Sequence, residues 1–223
     1  MPYTLFQDDP KGGKPELEGE EQIFGVVVAE VVSNRDLDRL GMVQIRFPWL
    51  PGVEPWARVA SFLAGKERGA FFVPQEKDEV LVAFNHGDMR EPYVIGGLWN
   101  GEDKPPATEL TDPVNKFLIR TPKKHEIRFD DQARTITITS LTEHRITLGS
   151  DKVEIVDDKD ANHRITLDKN GITIEAKKGD IVLEAKQGKV QLKGQSVEIS
   201  GKSQTELKAD GECVVSGKTV RIN

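Results

Sequence analysis

From Ile165 to Ile222 the chain repeats one short motif: an apolar residue, a polar one, a second apolar one, then Gly, Lys, Asp or Gln. The first inward positions are Ile165, Ile172, Ile181, Val190, Val197, Thr205, Cys213 and Val220, at intervals of 7, 9, 9, 7, 8, 8 and 7. Gly171, Gly179, Gly188, Gly194, Gly201, Gly211 and Gly217 fall in the gaps. Alternation between turn residues predicts short strands with one buried face. About eight residues per unit is too few for a chain to coil on itself, and each strand supplies only one or two inward side chains. A repeat of this kind needs neighbours to bury its face. Three chains intertwined as a prism satisfy that need, which predicts an obligate homotrimer. Its core would be Ile165, Leu167, Ile172, Ile174, Ile181, Leu183, Val190, Leu192, Val197, Ile199, Leu207, Cys213 and Val215.

Upstream, residues 117–176 carry a longer repeat. HEIRFDDQARTITITSLTE is followed by HRITLGSDKVEIVDDKDAN and HRITLDKNGITIEA, placing His125, His144 and His163 at intervals of 19 and 19. Each unit predicts two strands: Ile127/Phe129 with Ile136/Ile138, Ile146/Leu148 with Val153/Ile155, and Ile165/Leu167 with Ile172/Ile174. Counted from Ile127 to Val220 there are twelve strands per chain. Stacked about 4.8 Å apart, one per layer, they make a shaft of roughly 55 Å.

Residues 22–100 predict a compact β domain. The strands are IFGVVVAEVVSN, GMVQIRFPWL, PWARVASF, AFFVP, DEVLVAF and PYVIGGLW, separated by Pro, Gly, Asn and Asp turns. Five or six short strands without an amphipathic helix suggest a Greek-key barrel of the OB type. Residues 1–21 are polar and read as a flexible arm. Residues 101–116, GEDKPPATELTDPVNK, read as a Pro-rich linker, and 117–223 as the spike. The fold class is all-β: an N-terminal OB barrel followed by an intertwined trimeric triple-stranded β-helix.

Composition sharpens this division. The aromatic fraction is 6%, all three Trp precede residue 118, and no aromatic follows Phe129. The first half can build a globular core, whereas the second must stack β-branched side chains. A net charge of −6 argues against a nucleic-acid ligand. The single cysteine, Cys213, forms no intramolecular disulfide. The first residues lack the apolar stretch of a secretory signal, and no run approaches the roughly 20 apolar residues of a membrane helix.

Within 43–106 the sequence resembles the OB domain of VgrG and phage baseplate-assembly-protein-V spikes. The residues that carry the likeness are Pro48-Trp49, then Trp56, Arg58 and Val59, then Phe72, Pro74 and Asp78 to Val82. The turn His86 to Asp88 and the ending Pro92, Gly96, Leu98, Trp99, Asn100 complete it. The resemblance implies the central spike of a contractile injection machine, in its short, phage-type form. It implies a baseplate hub protein on the OB side, supplied as a separate polypeptide, and a PAAR-type tip protein at the far end. It also implies assembly in the bacterial cytoplasm and delivery across a target envelope, which the spike pierces. Some related spikes carry a lysozyme-type domain after the barrel, but about sixteen residues leave no room for one here. The alternative is a trimeric carrier or adhesin that binds envelope glycans or effectors through its prism.

Catalytic chemistry has little purchase. There is no Walker loop, no G-x-S-x-G and no zinc spacing, so no enzyme activity and no cofactor is expected. His125, His144 and His163 share parity with the apolar residues that follow, so in a trimer each could ring the axis around a metal. The more economical reading puts each at a strand-opening corner fixed by the repeat. Cys213 reads as a buried structural thiol. Glu175, Glu184 and Glu198 alternate outward, beside Lys177, Lys186 and Lys193. The end, CVVSGKTVRIN, lacks the apical His-x-His of several phage spikes. Val220, Arg221, Ile222 and Asn223 are therefore expected to form a blunt platform for the tip protein.

Overall fold

In a computed structural model, residues 22–37, 40–106, 115–158 and 162–222 are described. The expected arm at 1–21, part of the expected linker, and Asn223 lie outside them. The chain divides into two units, Met1–Val114 and Asn115–Asn223. Both are β structures, and no α-helix occurs among the described residues.

The first unit is a closed barrel. Its strands are β1 (Val27–Ser33), β2 (Val43–Arg46), β3 (Trp56–Val59), β6 (Glu79–Asn85) and β7 (Asp88–Leu98). They close in the order β1-β2-β3-β7-β6, with β1 paired to β6. All contacts are antiparallel except β3 with β7, where Arg58 lies opposite Tyr93. This is the five-stranded, partly Greek-key closure of an OB barrel. Alternation in the sequence decides which side faces in. On β1 Ala29 and Val31 are buried, on β2 Val43 and Ile45, and on β6 Val80, Val82 and Phe84. Phe47, Ala57, Met89 and Val94 complete the core, with the Phe47 and Phe84 rings 5.8 Å apart. The β6–β7 turn uses His86 (φ 50°) and Gly87 (φ 82°). Two successive left-handed residues make the mirror-image turn that matches strand twist.

One expected strand is not there. AFFVP (residues 70–74) is not extended into a ladder. Instead the preceding loop folds on itself as the short ribbon β4 (Ala64–Gly65) and β5 (Arg68–Gly69). Ser61 holds it shut, its hydroxyl donating to the Leu63 and Ala70 carbonyls at 3.0 and 2.7 Å. Val73 does reach the core, but Phe71 and Phe72 point to solvent, so the segment has apolar content without strand alternation.

The second unit opens with a seven-stranded antiparallel meander. Its strands are β8 (Lys116–Arg120), β9 (Glu126–Asp130), β10 (Thr135–Thr139), β11 (Arg145–Leu148), β12 (Lys152–Val156), β13 (Arg164–Asp168) and β14 (Gly171–Glu175). Each pairs only with its sequence neighbours. The three expected strand pairs are found, in register: Ile127 faces Ile138, Ile146 faces Ile155, and Ile165 faces Ile174. Strand β8 adds one strand before Ile127 to the expected set. Ile165 and Ile172, which head the eight-residue series and also form the last pair of the 19-residue repeat, lie in the meander.

The six strands expected after Ile174 form no ladder among the described residues of the single chain. Residues 177–222 are exposed and carry no strand, their backbone broken by bends. At Gly201 the turn is tight: a Cβ would fall 2.6 Å from Thr205 Oγ1 and closer still to the Gln204 carbonyl. Only glycine fits there without a shift.

Candidate functional site

Strand alternation and unbroken register give the meander two unlike faces. On one, two columns of apolar side chains cross all seven strands. Ile119, Ile127, Ile138, Ile146, Ile155, Ile165 and Ile174 form the first. Phe117, Phe129, Ile136, Leu148, Val153, Leu167 and Ile172 form the second. Among the described residues nothing covers them: Ile127, Ile146 and Ile165 are 37–38% exposed and Ile172 reaches 71%. At about 25 cal/mol per Å² of apolar surface, a face this size left in water is a substantial cost and marks an interaction surface.

The opposite face is polar and tied down by charge pairs. Glu126 lies between Arg120, directly across the ladder, and Arg128, whose Nε donates to Glu126 Oε1 at 2.8 Å. Burial of Glu126 raises its pKa, but hydrogen bonds and charge from Arg128 and Arg120 outweigh this and hold it below the usual value. Glu154 repeats the arrangement between Lys152 at 3.0 Å and Arg164 at 3.4 Å. Lys116 and Asp130 pair at 3.7 Å, again opposite each other in the ladder. Cross-strand pairs of this kind stabilise a sheet.

The three histidines sit at successive turns along the same end of the sheet. In each turn a left-handed residue precedes the imidazole: Lys124 (φ 66°), Glu143 (φ 65°) and Asn162 (φ 51°). The backbone closes the same way each time, with Thr121, Ser140 and Asp157 donating to the carbonyls of His125, His144 and His163 at 2.9–3.0 Å. Two of the rings reach forward to the next turn. His125 Nδ1 accepts from the Leu141 amide at 3.3 Å, and His144 Nδ1 lies 2.6 Å from Asp157 Oδ1. His163 Nδ1 is buried without a hydrogen-bond partner among the described residues. The repeat of 19 residues is therefore the repeat of a turn, in keeping with a corner role. Among the described residues no three His, Cys, Asp or Glu of one chain gather as a metal site.

The remaining candidates lie in the segment after β14. Ile181, Leu183, Val190, Leu192, Val197, Ile199, Leu207 and Val215 are exposed in the single chain, as are Cys213, Val220 and Ile222. Arg221 is exposed beside them. No helix among the described residues is long and apolar enough to cross a membrane.

In the barrel, the motif residues have structural duties. The Trp49 ring packs 5.4 Å from Phe47, and Arg58 sits 5.6 Å over the Tyr93 ring. Asp78 Oδ2 accepts from the Gln75 amide at 2.7 Å, and Asn100 Oδ1 accepts from the amides of Glu102 and Asp103 at 2.9 and 2.7 Å. Residues 27–99, the barrel strands with these turns, match the model of the type VI secretion system/phage-baseplate injector OB domain. The barrel belongs to that family. The chain is also similar to curated spike proteins. It is 30% identical over 127 residues to the type VI secretion system spike protein VgrG3 of Vibrio cholerae, covering 50% of this chain and 12% of that protein. It is 36% identical over 107 residues to VgrG5 of Pseudomonas aeruginosa, 43% of this chain and 13% of the relative. The actin cross-linking toxin VgrG1 of Vibrio cholerae is 31% identical over 135 residues, 54% of this chain and 12% of the toxin. The chain thus spans about an eighth of the length of these VgrG relatives, and the likeness is to a spike segment.

Proposed function

We propose that the chain is the trimeric central spike at the baseplate of a contractile tail or injection system. The observation that carries the reading is the pair of apolar columns open along the whole meander, in a chain whose barrel is an injector OB domain. Three such faces turned toward a common axis would bury them together, with the charge-paired faces outside. Residues 181–222 continue the same alternation and would intertwine below. The result is a stiff shaft suited to transmitting thrust through a target envelope, a mechanical role that needs no catalytic group. Closed symmetry with three copies leaves no lateral sheet edge open.

A hub protein would bind on the barrel side, and a PAAR-type tip at Val220, Arg221, Ile222 and Asn223. The spike would assemble in the bacterial cytoplasm and travel with the particle. Support for the tip site is the exposure of Val220 and Ile222, which offers a partner apolar surface. Native mass measurement of the full chain tests the reading: a mass of three chains is expected, and a stable monomer at micromolar concentration would overturn it.

A further inference from the structure

The barrel carries two surfaces that its own fold leaves unused. Because it is closed, it offers no free sheet edge, and a partner can meet it only through loops and outward side chains. The ribbon β4–β5 is one such surface. Ser61 ties its base, and Gly69 at φ 151° lets its strands close, since a Cβ there would lie 2.6 Å from the Leu63 carbonyl. Phe62, Phe71 and Phe72 flank the ribbon at 87%, 80% and 63% exposure. Lys66, Glu67 and Arg68 form its exposed tip, and neither cation has an ion pair among the described residues. Aromatic rings held in water on a pinned ribbon mark an interaction surface, and one that loses little freedom on docking.

The second surface is a groove of roughly 420 Å³ on the outward side of β1. Val28 and Pro48 give it apolar lining, while Glu30, Glu79, Glu102 and Asp103 set carboxylates against a single lining cation, Lys77. Asn100 shapes its wall, donating to Glu79 Oε2 at 3.4 Å and accepting from the Glu102 and Asp103 amides. Glu30, Glu102 and Asp103 have no ion pair among the described residues. Groove and ribbon are complementary in kind: apolar lining with surplus negative charge, aromatic rings with surplus positive charge. They do not arise from neighbouring strands. The groove lies on β1, which pairs with β2 and β6, whereas the ribbon follows β3, which pairs with β2 and β7. We propose that the ribbon of one copy docks in the β1 groove of the next copy's barrel. Each barrel then gives one ribbon and receives one, a heterologous contact that three copies close into a ring. A ribbon this short buries less than the roughly 1,000 Å² of a stable interface. The contact therefore forms only between barrels already tethered to one another, at the effective concentration a tether supplies. The sheets hold the three chains, and the ribbons set how the barrels are turned. This rests on the trimer reading.

Cross-linking of the full chain tests it, in a Cys213→Ser background. Glu67→Cys at the ribbon tip is combined with Lys104→Cys, next to Asp103, so that every attracting charge is kept. Each single variant serves as a control. The proteins are weighed in their native state, treated with a short bismaleimide and run on a denaturing gel. The expected result is a native trimer in which the pair yields covalent two- and three-chain species and the single variants do not. Adding Lys66→Glu and Arg68→Glu should abolish this coupling while the trimer persists. A native trimer whose pair stays uncoupled, or couples only within one chain, overturns the docking and leaves the trimer standing. So does coupling by either single variant, which would set like surfaces against each other, or coupling that survives the charge reversal. A native monomer overturns both readings.

Discussion

The barrel and the meander are made of the same residues and treat them oppositely. Val31, Val43, Ile45, Val80 and Val82 are fully buried in the barrel, while Ile127, Ile146 and Ile165 remain more than a third exposed in the sheet. The difference is closure. Five strands in which β1 meets β6 hide one face inside themselves, whereas seven strands in a row leave theirs outside. A one-chain structure can be finished in its first half and unfinished in its second. The strongest way to break that comparison is to charge the open face. Ile146→Asp lies at the centre of one column and leaves the single chain little altered. In a trimer it brings three carboxylates into an apolar interior, each costing several kcal/mol. Loss of the three-chain mass with the barrel still folded is the expected outcome; a trimer of undiminished stability would mean that the columns face outward.

The reciprocal change belongs in the barrel. Phe47 is 1% exposed and contacts both the Trp49 and Phe84 rings. Phe47→Ala should lower barrel stability by about 3–5 kcal/mol through lost transfer energy and a residual cavity. Urea unfolding followed by tryptophan emission reads this directly, since all three tryptophans precede residue 100. The oligomer mass should not change. If it did, the barrel would share in holding the chains together.

The legible parts of this molecule are those where alternation alone decides. The strand pairs Ile127–Ile138, Ile146–Ile155 and Ile165–Ile174 are in register because each side chain two residues on must return to the same face. The AFFVP segment misled because adjacent Phe71 and Phe72 look strand-like while Ser61 and Gly69 close a ribbon ahead of them. Strand β8 straddles the linker boundary: Lys116 ends the Pro-rich stretch, and Phe117 and Ile119 have strand spacing but stand ahead of the 19-residue repeat that marks the other strands. The histidine period was visible in the sequence, but its cause was not. A left-handed residue before each ring is a backbone property that Lys, Glu and Asn do not announce together.

The charge-paired face yields a smaller and pH-dependent effect. Glu126 is held below its ordinary value in the folded sheet: burial pushes it up, and Arg128 and Arg120 more than reverse this. A lowered folded value means the contribution is fully present above the unfolded value, roughly 4.3. It is lost as pH falls through the folded value below that. Glu126→Gln should therefore destabilise the sheet at neutral pH, and the gap between variant and parent should close on acidification toward pH 3. Thermal melts monitored by far-ultraviolet circular dichroism at both pH values measure it. A gap that widened in acid would contradict the pairing.

The smallest effect is expected where a similar pair lies on the barrel rather than the open sheet. Asp88 is lowered first by the hydrogen bond from the Arg90 side chain, then by the Arg90 amide, against a raising contribution from burial. Its side chain meets Arg90 two residues along the same strand, at 2.7 Å from the guanidinium, in contact with solvent. A local, hydrated pair contributes about 0–1 kcal/mol. Asp88→Asn should therefore shift the urea midpoint of the barrel only slightly at pH 7, with the shift vanishing below the folded value of Asp88. Glu126 joins two strands of a sheet with nothing behind it, whereas Asp88 decorates a barrel whose core already fixes the β6–β7 turn. If Asp88→Asn cost more than Glu126→Gln, the barrel would depend on its surface charges more than the open sheet does, and closure would not be what separates the two halves.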